Sequence, residues 1–384
     1  MKRIASLLLL SLSLFSPAPA RAQEPAFKPL FNGRDLTGWF NINCAPGTWS
    51  VKDGMIHTTG APICELRTER MYENFILELE WQHLKPEGNA GVFIWADALP
   101  ARGEPFLRAI EVQVLDGRNT ENYTSHGDVF AIHGAKMTPD RPHPNGWMRS
   151  LPRERRAKPA GQWNTYRITA RDGKITLAVN GAEVSGGSDI TPRKGYIALE
   201  SEGSPALFRN IRIAELPSSG TLPPEDVAST DDGFRALYNG QDLTGWRATS
   251  GGWTPKDWTL VYSAANAGPG GSSLVSAADY GDFSLIVDWK IPKEGASANK
   301  KPAGGVTVKE PIRLAVSQGG EHKAVRPAGE WNRSIFTLRG AKLTVTVNGE
   351  TVREGAAHDG PPRGRIVLRP TEDAEIANVF VKRY

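Results

Sequence analysis

The chain has 384 residues, with 46 Lys plus Arg against 42 Asp plus Glu, a formal net charge of +4. Lys2, Arg3 and Arg21 account for three of those cations. The remaining chain has 43 basic and 42 acidic residues, so it lacks the excess positive charge that binding a nucleic acid requires. A hydrophobic content of 39% excludes a multi-span membrane protein, while 40 Gly, 28 Pro and 11 Trp favour many short strands joined by turns.

The N-terminal segment has the pattern of a signal peptide. The basic pair Lys2-Arg3 precedes an apolar stretch from Ile4 to Phe15 that is too short to span a bilayer, and Ala20-Arg21-Ala22 supplies small residues for cleavage. No Cys follows the apolar stretch closely, so no lipid anchor is expected. The sequence therefore predicts a signal peptide over residues 1–22. The mature chain is predicted to be exported, periplasmic or secreted, without a transmembrane segment.

The only two cysteines follow in the first third of the chain. In an exported protein an even count permits a disulfide between Cys44 and Cys64, and two unpaired thiols are the alternative. A metal site built from these two residues alone is not expected.

An internal repeat organises the rest of the chain. FKPLFNGRDLTGW at 27–39 returns as FRALYNGQDLTGW at 234–246, an offset of 207 residues. Further along, NFILELEW matches DFSLIVDW at an offset of 208, and PAGQWN matches PAGEWN at 168. Two copies of one long unit predict two domains, at 23–217 and 231–384, joined by a Pro/Ser/acidic linker at 218–230.

Within each copy the hydrophobic pattern has a period of two. Ile110, Val112 and Val114 alternate with Glu111 and Gln113, which is typical of a half-buried antiparallel strand. Asn-Gly pairs at 180–181 and 348–349 are hairpin signals. The sequence thus predicts an all-β protein made of two tandem β-sandwiches.

Residues that both copies share are expected to serve the fold. Core or turn positions are predicted for Trp39 and Trp246, Trp81 and Trp289, Trp163 and Trp331, and Asn180 and Asn348. For Trp163 and Trp331, stacking on a sugar ring is the alternative to core packing.

Five segments of the first copy together resemble a large bacterial family. They are LFNGRDLTGW, GNAGVFI, IEVQVLD, the hairpin from PAGQWN to VNG, and the closing FRNIRI. In this order and spacing they resemble the 3-keto-disaccharide hydrolase domain, and the likeness covers nearly the whole mature chain as two copies. The resemblance implies a concanavalin A-like jelly-roll sandwich and cleavage of glycosides oxidised at carbon 3. The second copy would be a degenerate one.

Polar residues of the first copy that the second copy lacks are the candidates for a site. The alternation places Glu111, Gln113 and Glu200 on the outer face of their strands. The aligned pairs are Asn89 and Ala303, Glu111 and Arg313, Gln113 and Ala315, Asp116 and Gln318, and Glu200 and Arg369. A polar face kept in one copy and lost in the other predicts one working site. The alternative is that these are solvent-exposed outer-face residues whose identity varies without functional consequence.

The first copy also carries an insertion. Asp116 and Trp163 are 47 positions apart, whereas Gln318 and Trp331 are 13 apart. The extra segment contains His126 and His133, each beside a glycine, and a long loop on a rigid sandwich often carries function. A mobile surface loop is the alternative.

The chemistry implied by the resemblance needs a base, an oxyanion partner and an acid. Glu111 or His133 is the expected base. The predicted substrate-binding residues are Asn89, Gln113, Asp116, His126 and Glu200. A 3-keto-glycoside is thus the expected partner.

Three questions stay open at this point. Glu111 and Glu200 could instead form an ordinary two-carboxylate glycosidase. No cofactor is evident, and a divalent cation stays open because His and acidic side chains are present without a metal-spacing motif. A pair of carbohydrate-binding or adhesive modules without turnover is the alternative function.

Overall fold

The computed structural model describes residues 26–117, 124–293, 323–357 and 363–384. These residues form antiparallel strands and three short 3-10 turns, at Thr124–His126, Pro224–Asp226 and Ala264–Asn266. The all-β jelly-roll prediction is confirmed. The predicted signal peptide lies outside the described residues. None of the described residues belongs to a helix long and apolar enough to cross a membrane.

The first copy is a sandwich of two sheets, which we call its back sheet and its front sheet. The back sheet has nine strands in the order β10-β14-β13-β12-β6-β16-β4-β3, with β1 beside β16, and the front sheet has the order β11-β9-β8-β7-β15-β5-β2. The strands are β1 Lys28–Pro29, β2 Trp39–Ile42, β3 Trp49–Lys52, β4 Met55–Thr58, β5 Cys64–Thr68, β6 Phe75–His83, β7 Asn89–Ala96, β8 Ala109–Leu115, β9 Val129–Ile132, β10 Lys136–Pro139, β11 Arg149–Ser150, β12 Asn164–Arg171, β13 Lys174–Val179, β14 Ala182–Thr191, β15 Tyr196–Ser201 and β16 Ala206–Glu215.

The core of the first copy lies between these sheets, where the alternating pattern places it. Ile110, Val112 and Val114 are fully buried in it, and Trp39 and Trp81 pack there as predicted. Trp163 does not: it is half-buried at the surface beneath the guanidinium of Arg209, 3.7 Å from the ring centre. The core prediction is wrong for Trp163, because its indole packs under a cation on the outer side. It is also wrong for Trp331, which is half-buried with the Lys290 ammonium 4.8 Å from its ring centre.

A disulfide and the insertion complete the first sandwich. Cys44 and Cys64 are bonded, with Cα atoms 5.5 Å apart. The insertion is not a loose loop where it is described, because β9 and β11 extend the front sheet and β10 extends the back sheet. Its residues 118–123 lie outside the described part.

The second copy repeats the architecture with fewer described strands. Its back sheet has the order β19-β20-β27-β22-β23-β24-β25, with β17 beside β27, and its front sheet has the order β18-β21-β26. The strands are β17 Arg235–Ala236, β18 Trp246–Ala248, β19 Trp253–Lys256, β20 Thr259–Tyr262, β21 Leu274–Tyr280, β22 Phe283–Lys290, β23 Asn332–Arg339, β24 Lys342–Val347, β25 Glu350–Ala357, β26 Gly364–Leu368 and β27 Ala374–Arg383. A separate core fills this sandwich, and it includes Trp246 and Trp289.

The back sheet of the second copy packs against the first copy. Ile286 and Phe380, 5% and 1% exposed, join an apolar cluster with Phe93, Leu107 and other residues of the first copy. The connection between β7 and β8, residues 97–108, lies at this contact, and we call it the roof loop. The second copy therefore covers part of the face that the first copy's front sheet turns away from its core.

Segment 218–230 is hydrogen-bonded to the first copy. The backbone N–H of Ser219 donates to Glu73 and that of Ser229 donates to Asp97, at 2.7 and 2.8 Å. Arg193 donates to Asp226 at 2.7 Å. The predicted linker is thus tied along the first sandwich.

Candidate active site

A row of carboxylates crosses the outer face of the first copy's front sheet. Residues opposite each other on antiparallel strands share a face. Glu65 on β5 lies opposite Glu200 on β15, and Glu111 on β8 lies opposite Phe93 on β7. Each carboxylate therefore points away from the core, as the alternation predicted for Glu111.

Gly91, between Glu111 and Glu200, allows these two side chains to approach each other. A Cβ atom at Gly91 would lie 2.9 Å from Glu200 Oε2 and 3.0 Å from Glu111 Oε1. Both oxygens therefore occupy the space that any other residue would fill. Gly91, the second glycine of GNAGVFI, is therefore needed for the space it leaves to the two carboxyls and not for an unusual backbone conformation.

A chain of hydrogen bonds extends from the carboxylates to two of the predicted amides. Gln113 Nε2 donates to Asn89 Oδ1 at 2.7 Å and to the carbonyl of Ala90 at 3.2 Å. Asn89 Nδ2 donates to Glu202, whose carboxyl is hydrogen-bonded to that of Glu200. Both N–H groups of the Gln113 amide are thus used within the protein, and Gln113 and Asn89 orient Glu202.

Burial raises the pKa of every carboxyl in this cluster. The pKa of Glu111 rises to about 8, mainly because its charge is withdrawn from water and then because Glu202 repels it, with Arg149 opposing. Burial also raises the pKa of Glu65 and Glu200 well above the usual range, and that of Glu202 in the same direction. Neighbouring carboxylates cannot all ionise in a site of low dielectric, so protons are retained here.

Exposure distinguishes which of these groups can meet a ligand. Glu65 and Glu200 are 0% and 1% exposed, whereas Glu111 is 7% exposed and Glu202 is half-buried. The roof loop covers the Glu65 end, where the N–H of Leu107 donates to Glu65 Oε1 at 3.2 Å. Access is therefore from the side of Glu111, Asn89 and Glu202.

Three other predicted residues lie outside this cluster. Asp116 is buried and accepts from the N–H groups of Glu87 and Ala160, at 2.8 and 2.9 Å, so it ties two loops together. His133 has a φ of 51° and stacks on Phe106 with ring centres 5.8 Å apart. His126 is buried in the turn before β9, and burial lowers the pKa of its ring.

The site also contains residues that the sequence did not single out. Glu65 and Glu202 belong to the cluster, and Arg149 on β11 lies opposite Phe130, which lies opposite Glu111. The Arg149 guanidinium stands 4.2 Å from the Phe130 ring centre and 3.6 Å from Asp128. The alternation in CELRT could have placed Glu65 on the outer face. The residues that surround Glu65 depend on the order of the strands in the sheet, which the sequence repeat does not reveal.

The second copy offers only a partial comparison at these positions. The counterparts Ala303, Arg313, Ala315 and Gln318 lie outside the described residues. Arg369, the counterpart of Glu200, is exposed. Within the described ranges no group of three or more His, Cys, Asp or Glu is arranged to hold a metal ion, and the divalent cation considered above stays untested.

A curated relative agrees with the resemblance noted in the sequence. A 3-keto-disaccharide hydrolase from Bacteroides thetaiotaomicron is 24% identical over 242 residues, covering 49% of this chain and 77% of that protein. Two solved structures of candidate glycosyl hydrolases from Parabacteroides distasonis are also similar. One is 21% identical with a TM-score of 0.41 and covers 50% of this chain and 94% of its own; the other is 25% identical with a TM-score of 0.38 and covers 50% and 100%.

The family comparison extends over both copies. The sequence profile of the 3-keto-alpha-glucoside-1,2-lyase-like domain matches residues 26–214 and 233–311, well over half of the chain. The chain therefore belongs to this family of carbohydrate-active, glycosyl-hydrolase-like proteins.

Proposed function

We propose that the first copy cleaves 3-keto-glycosides by removing the proton on carbon 2. The observation that carries the proposal is the pair of carboxyls of Glu111 and Glu200 meeting above Gly91, inside a cluster where pKa values are raised. Strongly perturbed acids gathered at one place are typical of catalytic sites. Membership of the 3-keto-alpha-glucoside-1,2-lyase-like family supports the choice of substrate class, and the cluster supplies acid–base groups that such a reaction needs.

Glu111 is the base in this mechanism. The ketone at carbon 3 acidifies the hydrogen on carbon 2, and Glu111 takes that proton while the electron pair forms an enolate. A base whose pKa is about 8 binds the proton strongly enough to remove it and is ionised in part of the molecules near neutral pH. His133, the other predicted base, stacks on Phe106 instead of joining the carboxylates.

The Glu200–Glu202 pair is the acid. Two hydrogen-bonded carboxyls with raised pKa values retain a proton, and half-buried Glu202 presents it toward the open side. Collapse of the enolate breaks the bond between carbon 1 and the leaving-group oxygen, which accepts this proton. The product is a keto sugar unsaturated between carbons 1 and 2. Water then adds at carbon 1 and a proton returns to carbon 2.

Arg149 supplies positive charge to the same face. Arg149 and Glu111 lie on either side of Phe130 on this face, and the positive charge of the guanidinium opposes the raised pKa of Glu111. An enolate that forms near Glu111 is stabilised by the same charge. The site thus has a base, an acid and a cation on one sheet.

The cluster also favours turnover over the alternative of a purely binding module. A binding surface gains nothing from carboxylates withdrawn from water, and burying them costs stability. Four such groups on one face are better explained by proton transfer.

A substrate comparison tests the proposal. Purified protein is incubated with 3-keto-trehalose or a chromogenic 3-keto-glucoside, and with each parent sugar that lacks the ketone. Release of the leaving group from the keto sugars alone is expected, because only they have an acidic hydrogen on carbon 2. Equal release from the parent sugars would instead support a two-carboxylate glycosidase.

We also propose that the protein is exported, on the pattern of residues 1–22. Mass spectrometry of the protein from its native host should show a mature chain that begins near Gln23. An intact N-terminus in the cytoplasmic fraction would contradict it.

A further inference from the structure

The insertion of the first copy builds an exposed aromatic pair. The indole of Trp147 is 54% exposed, although it is one of the largest apolar side chains of the protein. It stacks on the ring of His143, with ring centres 4.3 Å apart and planes inclined by 14°. We call these two residues the aromatic platform.

Local hydrogen bonds hold the platform in place. The N–H of His143 donates to the carbonyl of Arg149 at 3.1 Å, and the N–H of Gly146 donates to the carbonyl of His143 at 2.9 Å. The N–H of Asn145 donates to the His143 ring at 3.1 Å. The His143 ring on which the indole stacks is therefore held in place before any ligand arrives, which lowers the entropic cost of binding.

The platform lies beside β11, the edge strand of the sheet that carries the carboxylates, and the Arg149 guanidinium is 5.8 Å from the Trp147 ring centre. Glu111 is opposite Phe130, and Phe130 is opposite Arg149, two residues after Trp147. Adjacent strands are about 4.8 Å apart, so roughly 10 Å of sheet separates the Glu111 and Arg149 backbones. A ring on carbon 1 of a sugar at Glu111 would extend along this face toward Arg149, whose guanidinium adjoins the platform.

The platform and the carboxylates also occur in the same copy. The segment between Asp116 and Trp163 spans 47 positions, whereas the equivalent segment between Gln318 and Trp331 spans 13. The short segment contains no aromatic Trp, Tyr or Phe before Trp331. Its presence in the copy with the carboxylates indicates that the two features serve one ligand.

We propose that the platform is a subsite for the leaving group of the substrate. It binds the apolar face of a six-membered ring attached at carbon 1, either a second pyranose or an aryl group. Aromatic rings suit this task because they present a flat apolar surface. This inference rests on the proposed function for the position of the keto sugar, while binding of the ring does not depend on the ketone.

A binding experiment tests the platform without turnover. Saturation-transfer NMR is recorded with 4-nitrophenyl β-glucoside, trehalose and methyl glucoside, none of which has a ketone. In the wild type, saturation is expected at the aryl ring or on trehalose but not on methyl glucoside, and Trp147→Ala should abolish it. Tyr384→Ala, which removes another exposed aromatic, 47% exposed, at the far end of the second copy, should leave it intact. Unchanged saturation in Trp147→Ala would overturn the proposal.

Kinetics give the second readout. Trp147→Ala should raise KM for 3-keto substrates with an aryl or glucosyl leaving group by about 2- to 10-fold, the worth of one aromatic contact. KM for the methyl 3-keto-glucoside and kcat for each substrate should stay near wild type. The substrate whose KM rises, with an aryl or with a glucosyl leaving group, identifies the kind of ring that the platform binds. An equal rise of KM for the methyl compound would contradict the subsite.

The two proposals fail in different ways. If the wild type turns over no 3-keto-glycoside, the proposed function fails, and the NMR comparison still decides whether the platform binds a ring. If turnover is normal and Trp147→Ala changes neither readout, only the subsite is wrong.

Discussion

The two copies use opposite faces of the same sandwich. On the back sheet of the first copy, Glu78 pairs with Arg167 and Arg212 on the neighbouring strands, and both arginines are largely exposed. The equivalent residues of the second copy, at offsets of 208 and 168, are Ile286, Ile335 and Phe380. They occupy the same register, with Ile286 opposite both of the others. An ion-paired surface in one copy is thus an apolar contact surface in the other.

This difference shows how a duplicated unit acquires two roles. The first copy keeps polar groups on its front sheet, where the carboxylates lie. The second copy turns its back sheet to the first and holds the roof loop, since Asp288 accepts from the N–H of Gly103 and from Arg333 and Asn378, each at 2.8 Å. Different outer-face residues, together with the insertion in the first copy, distinguish the two roles, while each copy keeps its own core.

The largest structural effect is expected from placing the first copy's residue on the second copy's docking surface. Phe380→Arg copies Arg212 to a position that is 1% exposed, where Ile286 stands in place of the acidic partner Glu78. An unpaired buried charge should cost about 3–5 kcal/mol of unfolding free energy, measured by urea denaturation. Tyr384→Arg, at an exposed site, is the control. Wild-type stability of Phe380→Arg would mean that the two copies do not dock this way.

The carboxylate cluster should make stability depend on pH. Because the pKa of Glu111 is higher in the folded state, the folded protein binds more protons than the unfolded one above pH 4.5. Stability should therefore fall as pH rises from about 5 to about 8, by up to a few kcal/mol. Thermal unfolding of Glu111→Gln should show a shallower fall than that of the exposed control Glu183→Gln. Identical slopes in both variants would argue against a buried, protonated Glu111.

A smaller effect is expected at the roof loop. A Cβ at Gly103 would lie 2.0 Å from Trp331 Cγ, and Gly103 has a φ of 73°. Gly103→Ala should lower the unfolding free energy by about 1–3 kcal/mol, because the loop must move away from the second copy. Gly33→Ala is the control, since Gly33 has a similar φ of 75° but nothing within 4 Å of its Cβ position. Equal losses in both variants would assign the effect to backbone strain alone.

The smallest effect is expected at the exposed ion pairs. Arg167→Ala should change the unfolding free energy by less than about 1 kcal/mol, because solvent screens a surface pair. The same measurement on Ile335→Ala, its counterpart at the contact surface, should give a larger loss. If Arg167→Ala were the more damaging of the two, the contrast between the back sheets would be wrong.

The sequence predicted the parts of this structure that depend on local pattern. Alternation over Ile110–Val114 identified the strand and the face of Glu111, and the repeat identified two cores. Contacts between distant strands were not predictable in this way, because strand order brings Glu65, Glu200 and Glu111 together. The docking surface did leave a signal, since Leu285-Ile286-Val287 is apolar throughout where the aligned Leu77-Glu78-Leu79 alternates. A run of consecutive apolar residues is typical of a strand that is buried on both faces.

The most direct test of the central claim follows the hydrogen on carbon 2. A 3-keto-glycoside is incubated in deuterated water with the wild type and with Glu111→Gln, and leaving-group release and deuterium at carbon 2 are measured together. The wild type should release the leaving group and place deuterium at carbon 2 of the product. Glu111→Gln, close to isosteric, should fold normally and lose about 10²- to 10⁴-fold in both rates. Wild-type rates in Glu111→Gln would contradict the account and remove Glu111 from the mechanism.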